Sequence, residues 1–492
     1  MRSLLAGLLT AATLSAPALP AAASATGAPA TALTPAAVDA YLRDALAATG
    51  LPGASVVVTH DGEVVHAAGY GTDSEGRPIT ADTPMRVASV SKSFTAAAVM
   101  TLVERGRIRL DEPVAAQLPG FRMADPRASR VTVRQLLDQT SGLSDTTADI
   151  NALEEETTLA GYTARLSGAR LRADPGTRWE YCNVNYDLAA RLVEVAGGQD
   201  FGAYLRDHVF GPLGMKSSAV SDQVVRPADG YNSVYGLWLP RPELPSFLNG
   251  SGSGGVITTA ADMGKWLVAQ TGDGRPLVKK QSLETMHTPS AVHPYAMGWG
   301  VEETGQLVHS GNLFTYTAVE AISPRTGYGF AVMTNSAALQ DDTYTIMLGL
   351  TALSEGRTPE PLGGERRLYE GVLAAIALLA AGLGLLGTLR ARRWAARRSG
   401  APRWRVALRL LPALLPAVVL ATYPDWTSFL MNGRTVTWAQ LTYFAAPLSI
   451  TLLVAALAGA AATVARLLAV SRRDPGTADP AIRDHADVSG LA

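Results

Sequence analysis

Ser89 and Lys92 lie three residues apart, where a polar stretch gives way to an apolar run. On the first turn of a helix this spacing places both side chains on one face, near unpaired N–H groups and the positive end of the helix dipole. A serine hydroxyl is a poor nucleophile until a base removes its proton, and a desolvated lysine can act as that base. The pair therefore predicts a serine nucleophile, Ser89, activated by Lys92.

The spacing alone also fits a plain structural interpretation, in which Ser89 is a helix N-cap and Lys92 is a solvated helix residue. With serine at roughly 5–6% of residues, a serine three positions before one of five lysines occurs by chance about a quarter of the time. The chain holds only 5 Lys against 37 Arg, which makes a motif that requires lysine more informative. The remaining motifs decide between the two interpretations.

Residues 86–95 (RVASVSKSFT) resemble the nucleophile segment of the serine β-lactamase and penicillin-binding-protein superfamily, especially its class C and esterase-like branches. Further matches follow in the family's order: 131–143 (VTVRQLLDQTSGL), 175–183 (PGTRWEYCN), 210–215 (FGPLGM), 298–300 (GWG) and 309–312 (HSGN). Two positions depart from the family's pattern, since Gln139 stands where a histidine is common and His309 replaces the lysine of the third motif. The resemblance covers nearly all of 36–350.

The resemblance implies a role for each motif residue. Tyr181 would relay a proton between Ser89, Lys92 and the leaving group, and Asn183 would hydrogen-bond Lys92 and a substrate carbonyl. In an extended segment Tyr181 and Asn183 project to one side, so Cys182 is expected to be a buried packing residue on the other. Without the motif, Tyr181 would be interpreted as an ordinary half-buried aromatic residue.

The third motif is expected to complete the site. His309 would face the site and donate to substrate or to Tyr181, although a lone histidine is usually structural. The resemblance implies an oxyanion hole formed by the backbone N–H groups of Ser89 and Asn312. Gly311 lets the strand backbone pass close to substrate and should not tolerate a bulky replacement. Replacement of the family's lysine by His309 weakens the β-lactamase and carboxypeptidase assignments, because that lysine helps to bind a substrate carboxylate in relatives that have it.

The elements that position these residues follow an α+β pattern. Strand patterns at 54–59 and 63–69 flank the hairpin signal His60-Asp61-Gly62, and strand patterns return at 305–309, 316–322 and 328–334, followed by a closing helix at 341–353. Between them the pattern is mostly helix and loop, including helices at 91–105 and 186–196. We expect strands from both ends to form one antiparallel, five-stranded-type sheet flanked by helices, with a helical lobe inserted between them.

The formal net charge of −1 combines two different regions. Residues 26–367 carry a net charge of −9, whereas residues 368–492 carry +7. No basic stripe lies outside the apolar C-terminal third, which argues against nucleic-acid binding. The single cysteine excludes an intrachain disulfide, and no His or Cys spacing indicates a metal site; the resemblance implies that no cofactor is needed.

The chain ends indicate export and membrane attachment. Residues 1–25 are predicted to be a signal peptide, with a retained anchor as the alternative, and 26–36 a flexible lead. The hydrolase domain is assigned to 37–357 and a linker to 358–367. The membrane domain is assigned to 368–470, with predicted spans at 368–389, 406–423 and 441–465, and the tail to 471–492. Seven arginines between the first two spans indicate a cytoplasmic loop, which places the hydrolase domain outside the membrane and the C-terminus in the cytoplasm.

These patterns predict a multi-pass, membrane-anchored extracytoplasmic serine hydrolase that forms an acyl-enzyme. Its expected partners are the lipid bilayer and a small-molecule or peptide substrate: a peptidoglycan-derived D-alanyl peptide, another D-amino-acid peptide, an ester or a β-lactam. The main alternative is a catalytically silent module that binds cell-wall fragments as a sensor. A transporter with an incidental outer domain is the second alternative, and the lack of paired charges within the spans argues against it.

Overall fold

The computed structural model describes residues 33–340, 342–431 and 434–472. The predicted signal peptide, most of the flexible lead and nearly all of the predicted tail lie outside the described residues. The described chain divides into two compact units. The first contains the described residues up to Gly371 together with Pro424–Ala446, and the second contains Val372–Tyr423 and the described residues from Pro447 onward.

The first unit is built on an antiparallel sheet with helices on both faces. Its strands are β1 (Gly53–His60), β2 (Glu63–Gly71), β3 (Met85–Arg86), β4 (Gly230–Val234), β5 (Leu237–Arg241), β6 (Ile257–Thr258), β7 (Gly300–Val301), β8 (Leu307–Leu313), β9 (Tyr316–Ile322), β10 (Tyr328–Thr334) and β11 (Ser336–Ala337). Its helices before the first apolar span are α1 (Pro35–Thr49), α2 (Ser91–Glu104), α3 (Val114–Gln117), α4 (Val133–Leu137), α5 (Ile150–Glu154), α6 (Leu159–Arg165), α7 (Asn183–Gly197), α8 (Phe201–Leu205), α9 (Gly211–Leu213), α10 (Ala260–Thr271), α11 (Lys280–His287) and α12 (Asp342–Ser354).

The principal sheet joins strands from both ends of the unit. Its order is β2-β1-β10-β9-β8-β7, and each neighbouring pair is antiparallel. The β1–β2 turn has positive φ at Asp61 and Gly62, as a two-residue hairpin requires. The predicted antiparallel sheet with flanking helices is therefore confirmed. It has six strands, because the short β7 adds to the predicted five.

Alternation along the central strands creates two hydrophobic layers. Val57 of β1 belongs to the core shared with α2, α7 and α10, whereas Val56 and Val58 face the opposite layer with α1 and α12. The period of two in a strand explains this separation, because successive side chains point to opposite faces. Helix α2, which follows the predicted nucleophile Ser89, is thus enclosed, and its residues from Ser91 to Leu102 are all buried.

The hairpin of β4 and β5 lies in the region that the sequence pattern assigns mostly to helix and loop. Its turn residues Tyr235 and Gly236 both have positive φ. The side-chain amide of Asn232 is buried and donates to the carbonyls of Phe314 and Ala337. A buried polar residue in the strand interrupts the alternation of apolar residues from which a strand is recognised.

The C-terminal region contains α13 (Glu365–Leu389), α14 (Ala391–Ala396), α15 (Arg403–Leu408), α16 (Leu411–Ala421), α17 (Tyr423–Leu430), α18 (Trp438–Tyr443) and α19 (Ala446–Ser471). By length and composition, α13 and α19 could cross a membrane, with mean hydropathies of 2.4 and 2.1. The predicted middle span is instead divided among α15, α16 and α17. Pro416 lies inside α16, an 11-residue helix of about 16 Å, which is shorter than the ~30 Å hydrocarbon core.

Candidate active site

Ser89 lies in a tight turn at the start of α2. Ala88, Ser89 and Val90 form a single 3₁₀ turn, and Ala88 has a φ of +48°, a left-handed conformation that is uncommon for alanine. Strained backbone of this kind is concentrated at functional sites. The turn leaves Ser89 partly exposed, whereas Lys92 on the next helical turn is fully buried. The hydroxyl can therefore meet a ligand while the amine is shielded from water.

The Lys92 amine makes three polar contacts. Its Nζ lies 3.0 Å from Ser89 Oγ, 3.0 Å from Asn183 Oδ1 and 2.8 Å from the carbonyl oxygen of Ser253. An ammonium group uses all three of its protons in this arrangement, whereas a neutral amine has a lone pair that can accept the Ser89 proton. Burial lowers the pKa of Lys92, and the charge of Arg434 lowers it further, against the opposing effects of Tyr181 and Asp187. The geometry thus brings the predicted nucleophile and base together.

The tripeptide 181–183 crosses the site in the predicted orientation. The Tyr181 ring centroid lies 4.8 Å from Lys92 Nζ, and Asn183 begins α7 with its amide oxygen on the same amine. Cys182 is fully buried on the other side, as expected, with its Sγ 3.2 Å from Asp145 Oδ1. Burial raises the pKa of the Cys182 thiol well above its usual value, so this thiol is not a reactive thiolate.

Gln139 holds this tripeptide in place. Its side-chain Oε1 accepts from the backbone N–H of Cys182 at 3.0 Å and from Asn185 Nδ2 at 2.5 Å. Its own carbonyl accepts from the N–H of Glu180 at 3.0 Å, and its φ is +62°. The sequence marked Gln139 only as a departure from the family's histidine. Its support of the tripeptide depends on the packing of the two loops, which the sequence does not reveal.

Asp187 was missed by the sequence reasoning. It lies one turn after Asn183 on α7, is buried, and accepts from the backbone N–H of Ser253 at 3.0 Å. Burial raises its pKa to about 6, an effect that the Lys92 charge partly opposes. Asp187 therefore accepts from the backbone N–H of Ser253, while Lys92 donates to the carbonyl of the same residue. The available signal was its position on the predicted helix 186–196, four residues after Asn183.

The loop 250–255 (GSGSGG) was also missed, and it carries Ser253 into the site. A Cβ atom at Gly252 would lie 2.4 Å from Ala190 Cβ and 2.6 Å from the carbonyl oxygen of Tyr186. Only glycine allows the loop to approach α7 this closely and present the Ser253 carbonyl to Lys92. The run of glycines and serines in the sequence was the signal that a close backbone approach lay here.

Strand β8 runs beside the nucleophile turn. A Cβ atom at Gly311 would lie 2.2 Å from the carbonyl oxygen of Val87 and 2.9 Å from the backbone nitrogen of Ser89. The edge of β8 that contains Asn312 therefore lies next to the backbone N–H of Ser89. The oxyanion hole was expected from the backbone N–H groups of these two residues. Asn312 itself is exposed, whereas Gly311 is buried.

His309 has both ring nitrogens engaged. Nδ1 lies 2.8 Å from the carbonyl oxygen of Ser310, which can only accept, so Nδ1 carries the proton; Nε2, 3.0 Å away from Tyr295 Oη, then accepts from that hydroxyl. Burial lowers the pKa of His309 to about 3, and the Lys92 charge acts in the same direction. In this arrangement a neutral His309 packs near Tyr181, with 6.2 Å between ring centroids, but has no N–H available for the expected donation.

Arg434 reaches the site from the segment Pro424–Ala446. Its guanidinium carbon lies 5.0 Å from the Tyr181 ring centroid, and its Nε lies 3.6 Å from Asp145 Oδ2. The sequence placed Arg434 in a loop between two predicted spans and provided no signal for this contact. Within the described residues, no group of three or more His, Cys, Asp or Glu side chains could hold a metal ion.

Comparisons with known proteins support the fold described above. The family model described as "Beta-lactamase" matches residues 38–353. Protein flp of Staphylococcus aureus strain MW2 is 30% identical over 316 residues, which are 61% of this chain and 62% of that protein, so the chain spans about three-fifths of its length. Penicillin-binding protein 4 of Amycolatopsis lactamdurans is 30% identical over 63% of this chain and 88% of its own length. The structure of D-amino acid amidase from Ochrobactrum anthropi SV3, complexed with L-phenylalanine amide, aligns with a TM-score of 0.54 and 26% identity, covering 65% of this chain and 96% of the amidase.

Proposed function

Because the chain belongs to the beta-lactamase family of serine hydrolases, we propose that it hydrolyses an amide or ester through an acyl-enzyme formed on Ser89. The observation that carries the proposal is the 3.0 Å contact between Lys92 Nζ and Ser89 Oγ, on an amine that is fully buried. A buried amine with a lowered pKa is a competent general base for a serine hydroxyl.

In the proposed acylation step, Ser89 Oγ bonds to the substrate carbonyl carbon and its proton passes to neutral Lys92. The backbone N–H groups of Ser89 and Asn312 stabilise the oxyanion. The bond from the carbonyl carbon to the leaving nitrogen or oxygen then breaks, and the leaving group takes a proton through Tyr181. Water attacks the acyl-enzyme, the same groups remove its proton, and the acid is released with Ser89 restored. The net reaction consumes one water molecule and needs no cofactor.

Supporting residues have distinct roles in this scheme. Asn183 orients Lys92 and contacts the substrate carbonyl. The Ser253 carbonyl accepts from the amine, and Asp187 positions Ser253 through its backbone N–H. We assign His309 a positioning role, because its ring nitrogens are occupied by Ser310 and Tyr295. Gly311 permits the close approach of β8 to the nucleophile turn.

The proposed substrate class is a D-amino-acid amide, peptide or ester reached from outside the membrane. A penicillin-binding protein and a D-amino acid amidase among the similar proteins support this class. The apolar helices α13 and α19 support a membrane-anchored protein. The arginine cluster between α13 and α16 supports an extracytoplasmic hydrolase by the positive-inside rule.

Covalent labelling tests the proposal. The full chain in detergent is treated with a fluorescent fluorophosphonate or a fluorescent penicillin, and Ser89→Ala is compared with the exposed-serine control Ser129→Ala. We expect a covalent adduct in wild type and in S129A, and none in S89A. A folded wild-type protein that forms no Ser89-dependent adduct with either probe would support the catalytically silent sensor instead.

A further inference from the structure

The segment Pro424–Ala446 is part of the same compact unit as the hydrolase residues, although it lies between two apolar regions of the sequence. One end is held by Arg241, which donates from Nη1 to the Thr442 carbonyl at 2.5 Å and places its guanidinium carbon 3.6 Å from the Tyr443 ring centroid. The Tyr443 hydroxyl donates to the Pro242 carbonyl at 3.1 Å. These contacts fix the segment against the hydrolase fold.

The other part of the segment lies at the active site. Arg434 faces the Tyr181 ring, and the neighbouring Thr435 donates from Oγ1 to the Asp145 carbonyl at 3.5 Å. The Arg434 side chain is 33% exposed, whereas Asp145 is only 7% exposed. The Arg434 side chain is thus partly covered by protein and partly exposed to solvent.

Arg434 has hydrogen-bonding capacity left. A guanidinium has five N–H donors, and the ion pair with Asp145 joins Arg434 Nε to Oδ2 at 3.6 Å, which leaves the Nη donors for other partners. The other cation against Tyr181 is Lys92, whose three protons are directed at Ser89, Asn183 and Ser253. His309 is uncharged in its buried position. Of the two cations that contact Tyr181 within the described part of the chain, Arg434 is the one that can bind an external anion.

A cavity lies beside the chain neighbours of Asp145 and Arg434. It has a volume of about 510 Å³, and its lining includes Thr146 and Thr435, the chain neighbours of Asp145 and Arg434, together with Phe429 and Trp438. The walls are polar and aromatic, and they include the carboxylate of Asp425.

We propose that Arg434 is a substrate-binding residue, which recognises a carboxylate on the leaving-group side of the scissile bond. The inference rests on the proposed hydrolase function. Because Tyr181 is the group proposed to protonate the leaving group, a cation stacked on its ring lies beside that part of the substrate. A planar guanidinium suits a carboxylate through paired N–H contacts. The preferred substrates are then peptides or depsipeptides with a free terminal carboxylate.

A matched pair of substrates tests this inference. The full chain is assayed with the thioester of phenylacetyl-D-alanine and thioglycolic acid, which has a free carboxylate on its leaving group, and with the methyl ester of that thioglycolate. The variants are Arg434→Gln, Arg434→Lys and the control Arg43→Gln, which removes an exposed arginine paired with Asp39 on α1. The readout is the ratio of kcat/KM for the carboxylate over the methyl-ester substrate.

We expect R434Q to lower this ratio about 10- to 100-fold, in line with the loss of a hydrogen bond to a charged group. R434K should lower it less, and R43Q should leave it at the wild-type value. An unchanged ratio in R434Q overturns the inference. This holds both when kcat/KM falls by the same factor for the two substrates and when it falls for neither of them. Failure of the wild type to hydrolyse either thioester, together with no Ser89-dependent adduct, instead contradicts the proposed function.

Discussion

At the scale of single residues, the site depends on how one buried amine is surrounded. The buried Lys92 amine hydrogen-bonds with Ser89, Asn183 and the Ser253 carbonyl. Burial disfavours its charged form, and Arg434 adds a like charge, so both effects lower the pKa of Lys92. The same residue that is proposed to bind substrate therefore also affects the proposed base.

This coupling predicts a pH effect for Arg434→Gln. A neutral Lys92 is the active form of the base, so kcat/KM should rise with pH as Lys92 loses its proton. Removal of the neighbouring positive charge raises the pKa of Lys92, and the rising limb should move to higher pH. The pH profile of kcat/KM for the methyl-ester thioester measures this, with R43Q as the control; a limb that stays in place or moves to lower pH contradicts the prediction.

Tyr181 should be needed for proton transfer. Tyr181→Phe keeps the ring that contacts Lys92 and Arg434 but removes the hydroxyl, and we expect kcat/KM to fall about 10²- to 10⁴-fold. The matched control is Tyr231→Phe in β4, which removes a hydroxyl that donates to the Asp73 carbonyl at 3.1 Å. Steady-state hydrolysis of the thioester gives the comparison. Near-normal hydrolysis by Y181F would remove Tyr181 from the mechanism.

At the scale of elements, the site forms where a strand edge, a helix start and two loops meet. Strand β8 passes the nucleophile turn with no space for a side chain at Gly311. Gly298, with a φ of +82°, similarly abuts the start of α2, because a Cβ there would lie 2.7 Å from the backbone nitrogen of Ser93. Backbone neighbours cannot rotate away as a side chain can, so these contacts fix the spacing between elements.

Gly311→Ala tests this spacing. The new methyl group would meet the Val87 carbonyl and the Ser89 nitrogen, so either β8 or the turn must shift and the proposed oxyanion hole must widen. We expect kcat/KM to fall about 10²- to 10³-fold, the usual cost of one lost oxyanion donor. Gly168→Ala is the control, because a Cβ there has no neighbour within 4 Å. Acylation rates with the fluorophosphonate give the comparison. A rate for G311A close to that of the wild type would contradict the prediction.

At the scale of the whole molecule, buried acids should make stability depend on pH. Glu320 of β9 is fully buried and accepts from Trp266 Nε1 at 2.9 Å, and burial raises its pKa to about 8. Burial likewise raises the pKa of Glu243 to about 7 and that of Asp187 to about 6. In the folded protein these groups keep protons that the unfolded chain releases near its ordinary carboxyl pKa.

The sign of the effect follows from this difference. The stabilising contribution of Glu320 is complete below its unfolded pKa of about 4.5 and is lost as pH rises towards 8. We therefore expect the unfolding midpoint of the wild type to fall between pH 5 and pH 8.5. Glu320→Gln should show a smaller fall, because a neutral amide does not titrate. Thermal unfolding at both pH values measures the difference, and equal falls in wild type and E320Q would contradict it.

Membrane topology is also a property of the whole chain. Pro424–Ala446 belongs to the hydrolase unit, so any membrane crossing by the intervening residues must return the chain to the hydrolase side. Cys182 is fully buried, which allows single cysteines to be introduced at exposed positions with little background. In intact cells, we expect an impermeant maleimide to label Asp425→Cys but to label Ser399→Cys only after permeabilisation. Labelling of Ser399→Cys in intact cells would overturn the predicted orientation.

The sequence by itself determined the features that depend on local pattern. The spacing of Ser89 and Lys92, the tripeptide at 181–183 and the order of the motifs pointed to a serine hydrolase, and strand alternation predicted the antiparallel sheet. Only the tertiary structure decided the surroundings of these residues. Loop packing brings the Ser253 carbonyl to Lys92, and Asp187 accepts from the Ser253 N–H. The Tyr295 hydroxyl contacts Nε2 of His309, and Arg434 reaches Tyr181 from a segment assigned to an inter-span loop. Local spacing encodes which face of an element a residue occupies, whereas contacts between distant segments depend on the packing of the folded chain.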